Sequence, residues 1–263
     1  MDWLNAAGLL VRGHTMIWSS WRWNAIPADV ETRQDAAGFV RDRAAGHVAR
    51  IAAAYAGEVP EWDVVNEPLH EKDLENIVGF EERVRWFQLA HEAAPDARLF
   101  VNDFDILEGP ALVEPYKALV RGLVAAGAPV GGVGMQGHFL DGWDRRPRAE
   151  QLVERLAALA APGLPLQVTE FDMNGGWPEA RQAAIIEDVL VAAFAEPAVT
   201  AFIMWGFWDG NHWLGNAPLY RRDWTLKPSG SVWMDLVHGA WRTDTTLTTG
   251  AGGLAAARGF LGA

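Results

Sequence analysis

The sequence predicts an α/β fold, a (β/α)8 or TIM barrel represented by about six strand–helix units. Six short apolar segments rich in β-forming residues alternate with longer stretches that have helical periodicity. From the second segment onward, they begin at residues 61, 98, 131, 165 and 201, which are 33 to 37 residues apart. Such regular alternation calls for a parallel sheet with helices outside it. The 263 residues suit one barrel, which typically takes about 250.

The strand segments are apolar on both faces, as strands buried in a parallel sheet are. They cover 11–18, 61–66, 98–103, 131–137, 165–170 and 201–206. The helical segments are 31–56, 78–94, 111–126, 148–160, 178–195 and 229–240. In 31–56, apolar side chains from Phe39 to Tyr55 share one stripe, and Gly57 follows as a stop signal.

The strand count is two short of a closed barrel, which needs eight. Residues 3–8 read as the tail of a helix that leads into the first segment. We therefore expect strands 3–8 of the barrel and expect the first two to be missing, which leaves unpaired sheet edges. We assign residues 1–241 to the barrel. Residues 242–263 contain a short alternating stretch, 245–248, and are either a tail or the start of a truncated β-module.

Composition excludes several classes of partner. The net charge is −12 with only three lysines, so we expect neither nucleic acid nor an anionic membrane to bind. There are no cysteines, and hence no disulfides. No apolar stretch approaches the roughly 20 residues that cross a bilayer, and the amino terminus has no signal-peptide pattern. We expect a soluble chain that needs no cofactor, and a monomer if the barrel is complete.

Two of the strand segments end in a glutamate. Glu67 follows Asn66 after the segment 61–66, and Glu170 ends the segment 165–170. The carboxyl ends of barrel strands form one rim, so both carboxyl groups are predicted to face a single cavity. Two carboxyl groups brought together in this way are the equipment for cleaving a glycosidic bond. The alternative for any single glutamate is a structural role, such as capping a strand or pairing with an arginine.

Fourteen tryptophans are unusual for this length, and several cluster near strand ends. One cluster is Trp18, Trp21 and Trp23; the other is Trp205, Trp208 and Trp213. Single tryptophans are commonly buried, but clusters in loop-like sequence fit a wall of flat rings for stacking sugars.

These motifs closely resemble the family-10 glycoside hydrolases, the endo-β-1,4-xylanases. The resemblance covers nearly all of 3–240 and is carried by residues 12–15 (RGHT), 62–67 (WDVVNE), 102–103 (ND), 134–138 (GMQGH), 169–172 (TEFD) and 205–209 (WGFWD). It implies an eight-stranded barrel that hydrolyses xylan internally with retention of configuration. Since polymer substrates lie outside cells, it also implies that the intact parent protein is secreted.

The resemblance also implies roles for individual residues. Glu67 is similar to the general acid/base, Glu170 to the nucleophile, and Asn66 to the donor for the sugar 2-hydroxyl. His138 and Asp172 are similar to the pair that orients the nucleophile. The remaining positions surround the same sugar or support it: His14, Gln136, Trp205 and Trp213 around the sugar, and Trp18 packed near the floor.

The sequence departs from the family pattern at several positions, and alternatives to a xylanase stay open. Ser19 stands where the family commonly has histidine, Phe104 where it has tyrosine, and no second strand supplies the family's Glu-Asn pair and lysine. A carbohydrate-binding pseudoenzyme or catalytically impaired fragment is the main rival. A metal-dependent hydrolase is disfavoured because the seven histidines form no H-x-H or H-E-x-x-H pair. His70 follows Glu67 in a loop and is open to substrate contact, and xylan is not separated from other β-glucans.

Overall fold

The computed structural model describes residues 1–140, 142 and 146–260. They divide into two compact units. The first comprises residues 1–138, 147–171 and 192–203, and the second comprises the described parts of 139–146, 172–191 and 204–263. Both glutamates singled out in the sequence belong to the first unit.

Parallel strands form the sheet. In chain order they are β1 Arg12–Gly13, β2 Ile17–Trp18, β3 Glu61–Asn66, β4 Arg98–Asp103, β5 Gly132–Met135, β6 His138–Phe139, β7 Leu166–Met173 and β8 Val199–Met204. The hydrogen-bonded order is β1-β3-β4-β5-β7-β6, with β2 also on β3 and β8 on β7. The pairs from β1 to β5, and β5 with β7, are parallel. This sheet is a partial (β/α)8 barrel, which confirms the predicted fold class.

Helices follow the strands. They are α1 Asp2–Ala6, α2 Ala28–Glu31, α3 Ala37–Ala54, α4 Asp73–Val78, α5 Glu81–Ala93, α6 Val113–Ala125, α7 Ala149–Ala160, α8 Glu179–Ala195 and α9 Pro228–Asp235, with a π-helical turn at Leu236–Ala240. The apolar stripe of α3 buries Val40, Ala44, Val48 and Ala52. The chain leaves α3 through Gly57, whose φ of 80° is a left-handed conformation that suits glycine. Among the described helices, none combines the length and apolar character needed to cross a membrane.

The prediction of one continuous strand over 11–18 is wrong. The segment forms two strands of two residues each, β1 and β2. Between them, the Thr15 hydroxyl and the Met16 N–H both donate to the Asp63 carbonyl, at 2.9 and 3.0 Å. Because two consecutive donors share one acceptor, the regular ladder is interrupted there. The predicted helix 31–56 is shorter in the structure, where α3 begins at Ala37 and ends at Ala54, and the last strand begins at Val199 rather than at 201.

The described residues of the carboxy-terminal segment, 242–260, form neither helix nor strand and are almost all exposed. The alternating stretch 245–248 therefore does not pair with the sheet. Assignment of 242–263 to a tail or to a separate module stays a prediction.

Candidate active site

Four adjacent strands, β3, β4, β5 and β7, bring polar side chains to one edge of the sheet. In the β3–β4 register Asn66 pairs with Asn102, and β7 joins through β5. Because the strands are parallel, their carboxyl ends meet at the same edge. Glu67 directly follows β3, and Glu170 lies in the last part of β7.

The backbone turns sharply at Glu67. Its φ of 57° lies in the left-handed region, which non-glycine residues rarely adopt. Its N–H donates to the Asn102 carbonyl at 2.7 Å, and its carbonyl accepts the N–H groups of His70 and Glu71. Such a conformation costs about 1–3 kcal/mol and persists only where its surroundings enforce it. Here it directs a carboxyl group off the strand end.

Three donors hold the carboxyl group of Glu67, which is 7% exposed. The indole N–H of Trp18 donates to Oε2 at 2.9 Å. The amide of Gln136 donates to Oε1 at 3.0 Å, and that of Asn66 to the same oxygen at 3.3 Å. Trp18 was predicted to pack near the floor of the site, and the structure gives its indole a direct bond to Glu67.

Glu170 is equally enclosed, with 4% of its surface exposed. The Asn102 amide donates to Oε1 at 2.8 Å, and Nε2 of His138 lies 3.2 Å from Oε2. The Glu170 N–H donates to the Gln136 carbonyl at 2.9 Å, which ties β7 to the residue after β5. The nearby Asp172 lies in the second unit and is described with it below.

One hydrogen-bond network joins the two carboxyl groups. The Asn102 amide that donates to Glu170 also donates to Oδ1 of Asn66 at 3.0 Å, and Asn66 in turn donates to Glu67. Gln136 adds a second route, because its amide lies within bonding distance of both Asn66 and Glu67. The structure thus brings together five of the predicted site residues (Asn66, Glu67, Gln136, His138 and Glu170).

The electrostatic surroundings of Glu67 favour its protonated form. Burial raises the pKa of Glu67 most, and the negative charges of Asp103 and Glu170 raise it further. The hydrogen bonds from Gln136 and Trp18 act against this rise but do not cancel it. A carboxyl group held in this way keeps its proton to higher pH than an ordinary glutamate does, which suits a proton donor.

His14 lies on the other side of the network, beside Glu170. Its Nδ1 is 3.1 Å from Oδ2 of Asp63 and 3.8 Å from Oε1 of Glu170. Burial lowers the pKa of His14, but the hydrogen bond and charge of Asp63 and the charge of Glu170 outweigh burial and raise the pKa. Asp63 is also held by the Arg12 guanidinium. A positive imidazolium at this position lies beside the carboxyl group of Glu170.

The remaining predicted residues belong to the second unit. Asp172 is buried, and the indole of Trp213 donates to its Oδ2 at 2.6 Å. Trp213 and Trp205 nevertheless expose 56% and 40% of their surface. Trp208 stacks on Trp224, with ring centroids 4.8 Å apart. The predicted positions of Asp172, Trp205 and Trp213 around the same sugar stay predictions.

Sequence reasoning missed the residues that connect the site. Asn102 had no assigned role, although it ends a strand next to an acid, as Asn66 does. That shared pattern was a usable signal. No such signal marked Asp63 and Asp103. Their roles depend on hydrogen bonds to His14 and His70, which lie 49 and 33 residues away in sequence.

Trp18→Phe is expected to shift the pH dependence of catalysis. The indole donor stabilises the ionised carboxylate and lowers the pKa of Glu67. Phenylalanine cannot donate, so the pKa of Glu67 rises further, and the fall in kcat/KM on the alkaline side moves to higher pH. The pH profile of kcat/KM on an oligosaccharide substrate measures this shift. Trp3→Phe is the matched control, since Trp3 is 73% exposed. If the alkaline fall in kcat/KM of Trp18→Phe is unchanged or moves to lower pH, the indole of Trp18 does not lower the pKa of Glu67.

Gly134→Ala is expected to damage the network through Asn102. A Cβ at Gly134 meets the Asn102 carboxamide, and it lies 3.1 Å from the methyl group of Thr169, whose hydroxyl binds the same carboxamide. Crowding there costs about 1–3 kcal/mol, and displacement of Asn102 lowers kcat as well. Thermal unfolding and kcat measure both effects. Gly46→Ala in α3 meets open space and should stabilise by about 0.5–1 kcal/mol; equal behaviour of the two variants excludes this explanation.

No group of three or more His, Cys, Asp or Glu side chains among the described residues is arranged to hold a metal ion. The groups that the structure brings to the carboxyl ends of these strands are the two carboxyl groups and their hydrogen-bond partners. A (β/α)8-type sheet with two buried carboxyl groups at its strand ends fits the class of glycoside hydrolases that work through paired carboxyls.

Comparison with known proteins places the chain within that class. The sequence profile described as "Glycosyl hydrolase family 10" matches residues 1–232. Endo-1,4-beta-xylanase B of Paenibacillus barcinonensis is 30% identical over 267 residues, which cover 89% of this chain and 78% of that protein. The chain belongs to glycosyl hydrolase family 10.

Two further proteins are similar to this chain. The anti-sigma-I factor RsgI6 of Acetivibrio thermocellus is 32% identical over 97% of this chain, but the chain spans only 32% of that protein. Xylanase 10B from Thermotoga petrophila, solved in complex with xylobiose, superimposes with a TM-score of 0.81 at 25% identity, covering 90% of this chain and 76% of that one.

Proposed function

We propose that the protein is a retaining endo-1,4-β-xylanase, which hydrolyses internal bonds of xylan by double displacement. One observation carries this proposal: two buried carboxyl groups share one hydrogen-bond network but have different surroundings. Glu67 has a raised pKa from burial and from neighbouring negative charge. Glu170 faces the Asn102 amide, His138 and His14. Environments that separate two carboxyl groups in this way assign one as acid and the other as nucleophile.

In the first step, the Glu170 carboxylate attacks the anomeric carbon. The glycosidic bond breaks as Glu67 transfers its proton to the departing oxygen. The result is a covalent glycosyl ester on Glu170 and a released sugar with a new hydroxyl group. The Asn102 amide and His138 hold the attacking carboxylate in one orientation.

In the second step, water replaces the released sugar. Ester formation removes the negative charge of Glu170, which is one of the charges that raise the pKa of Glu67. The pKa of Glu67 therefore falls, and its carboxylate takes a proton from water as the water attacks the anomeric carbon. The ester bond to Glu170 breaks in the same step, which restores the Glu170 carboxylate. Two inversions give a product with the original configuration.

Neighbouring residues supply the remaining contacts in this proposal. The Asn66 amide, which now donates to Glu67, is placed to donate to the sugar 2-hydroxyl, a bond that strengthens as the oxocarbenium-like transition state develops. Gln136 and His14 contact the same sugar. For Asp172, Trp205 and Trp213, which belong to the second unit, the roles implied by the family resemblance stay predictions. The polymer lies outside cells, and we place the site of action there.

The rival function is binding of xylan without cleavage. RsgI6, which matches 97% of this chain, is named as an anti-sigma factor rather than as a hydrolase. Incubation of the purified chain with xylan and with a β-1,4-glucan separates the two. We expect reducing ends from xylan, an early drop in viscosity, and β-configured new ends by NMR. Xylan binding without new reducing ends supports a binding protein. Faster release of reducing ends from the glucan than from xylan means that the glucan is the preferred substrate.

A further inference from the structure

A tight loop follows Glu67 and carries His70. The His70 N–H donates to the Glu67 carbonyl at 3.0 Å, and the Leu69 N–H donates to the Asp103 carboxylate at 2.8 Å. The imidazole lies flat on the Phe104 ring, with centroids 3.7 Å apart and planes 17° from parallel. The side chain is therefore held in one orientation by the loop and by the end of β4.

Asp103 fixes which ring nitrogen of His70 carries a proton. Its carboxylate is fully buried and accepts the N–H groups of Leu69 and Phe104. Nδ1 of His70 lies 2.7 Å from Oδ1 of this carboxylate. Because a carboxylate only accepts, Nδ1 is the donor. Within the described part of the chain, Nε2 at the opposite end of the ring has no hydrogen-bond partner, and a quarter of the side chain is exposed.

We propose that His70 is a further substrate-contacting residue, whose Nε2 donates a hydrogen bond to the sugar that leaves with the glycosidic oxygen. This inference rests on the proposed function, because it requires a sugar on that side of the cleaved bond.

The distribution of charge places His70 on the side of the acid. The negative groups acting most strongly on His70 are Asp103, Asp105 and Glu67, whereas those acting on His14 are Asp63 and Glu170. The two His–Asp pairs are thus divided between the two carboxyl groups. In double displacement the acid contacts the leaving oxygen, so a residue beside Glu67 faces the departing sugar.

The state of the imidazole suits a donor. Burial lowers the pKa of His70, but the hydrogen bond and charge of Asp103, with Asp105 and Glu67, outweigh burial and raise the pKa. The ring therefore keeps its second proton to higher pH than a free histidine does, and in that charged form Nε2 carries a proton as well as Nδ1. A charged donor forms a stronger hydrogen bond to a sugar hydroxyl than a neutral one does.

Three substrates with the same xylobiosyl group test this role in His70→Ala. Xylotriose has a sugar as leaving group, 3,4-dimethylphenyl β-xylobioside has a poor leaving group without hydroxyls, and 2,4-dinitrophenyl β-xylobioside needs no acid assistance. We expect kcat/KM on xylotriose to fall about 10- to 100-fold, the range for a hydrogen bond from a charged donor. Both aryl substrates should change by less than about threefold.

Each other outcome overturns the assignment. Equal loss on xylotriose and the dimethylphenyl substrate means that His70 acts through Glu67 and not on the sugar. Equal loss on all three substrates means a structural role, which thermal unfolding checks. If the proposal is right, His70→Gln should recover part of the xylotriose activity. His91→Ala, on the exposed face of α5, is the matched control. If the unaltered protein hydrolyses none of the three, the proposed function itself has failed.

Discussion

Glu170→Ala should abolish hydrolysis of xylan and of activated aryl β-xylobiosides alike. Without the carboxylate no glycosyl ester forms, however good the leaving group is. Loss of a catalytic nucleophile typically lowers kcat by about 10⁴- to 10⁶-fold. Rates of nitrophenol release and of reducing-sugar release measure the loss on the two kinds of substrate.

Two controls separate chemistry from folding in this variant. Removal of the carboxylate breaks the hydrogen bonds that Glu170 makes with the Asn102 amide and with His138, which costs about 1–3 kcal/mol of stability. A thermal unfolding curve shows whether the variant stays folded at the assay temperature. Glu154→Ala, an exposed position on α7, should keep full activity. A folded Glu170→Ala variant that retains more than about a hundredth of the activity contradicts the nucleophile assignment.

Glu67→Ala is expected to discriminate between substrates by their leaving groups. Xylan and poor aryl leaving groups need a proton, so their hydrolysis should fall about 10²- to 10⁴-fold. A dinitrophenyl group leaves without one, so the first step is spared and an initial burst of dinitrophenol appears. The second step lacks its base and becomes rate-limiting. Azide, which needs no base, should restore turnover and yield the β-glycosyl azide.

The pH profile gives an independent reading of the same variant. The acid works only while protonated, and burial with neighbouring negative charge raises the pKa of Glu67. In the unaltered protein kcat/KM should therefore fall as pH rises through that raised pKa. In Glu67→Ala the burst phase with the dinitrophenyl substrate should lose this alkaline limb. Persistence of the limb, or equal loss of activity in the Glu67 and Glu170 variants, contradicts the assignment of acid and nucleophile.

The sequence predicted the positions of the two glutamates better than the bounds of the strands. Apolar runs buried on both faces can be recognised because they lack polar alternation, and Glu67 directly follows β3 as predicted, whereas β7 continues past Glu170 to Met173. The division of the segment 11–18 into β1 and β2 could not be predicted from the sequence. It depends on the Thr15 hydroxyl and the Met16 N–H finding one carbonyl at Asp63, 48 and 47 residues away, which no local pattern encodes.

Contacts within the site were likewise not predictable where they join residues that are distant in sequence. Residue identities indicated that Asn66 and Gln136 are near the catalytic carboxyls, but not that Asn102 links the two, since that link depends on the β3–β4 register. The Trp18 indole was equally ambiguous, because a tryptophan at a strand end fits packing and hydrogen bonding alike. His70 was left open for a similar reason, and Asp103, a fully buried acid from another strand, defines its orientation.

Trapping of the covalent intermediate tests the central claim most directly. In 2-deoxy-2-fluoro-β-xylobiosides the fluorine destabilises the oxocarbenium-like transition state and slows both steps, while a dinitrophenyl leaving group keeps the first step accessible. After incubation, proteolysis and mass spectrometry should find one fluoroxylobiosyl group, attached to Glu170. A label on another residue, or β-bond hydrolysis that yields α-configured products with no label, contradicts the two-carboxyl account.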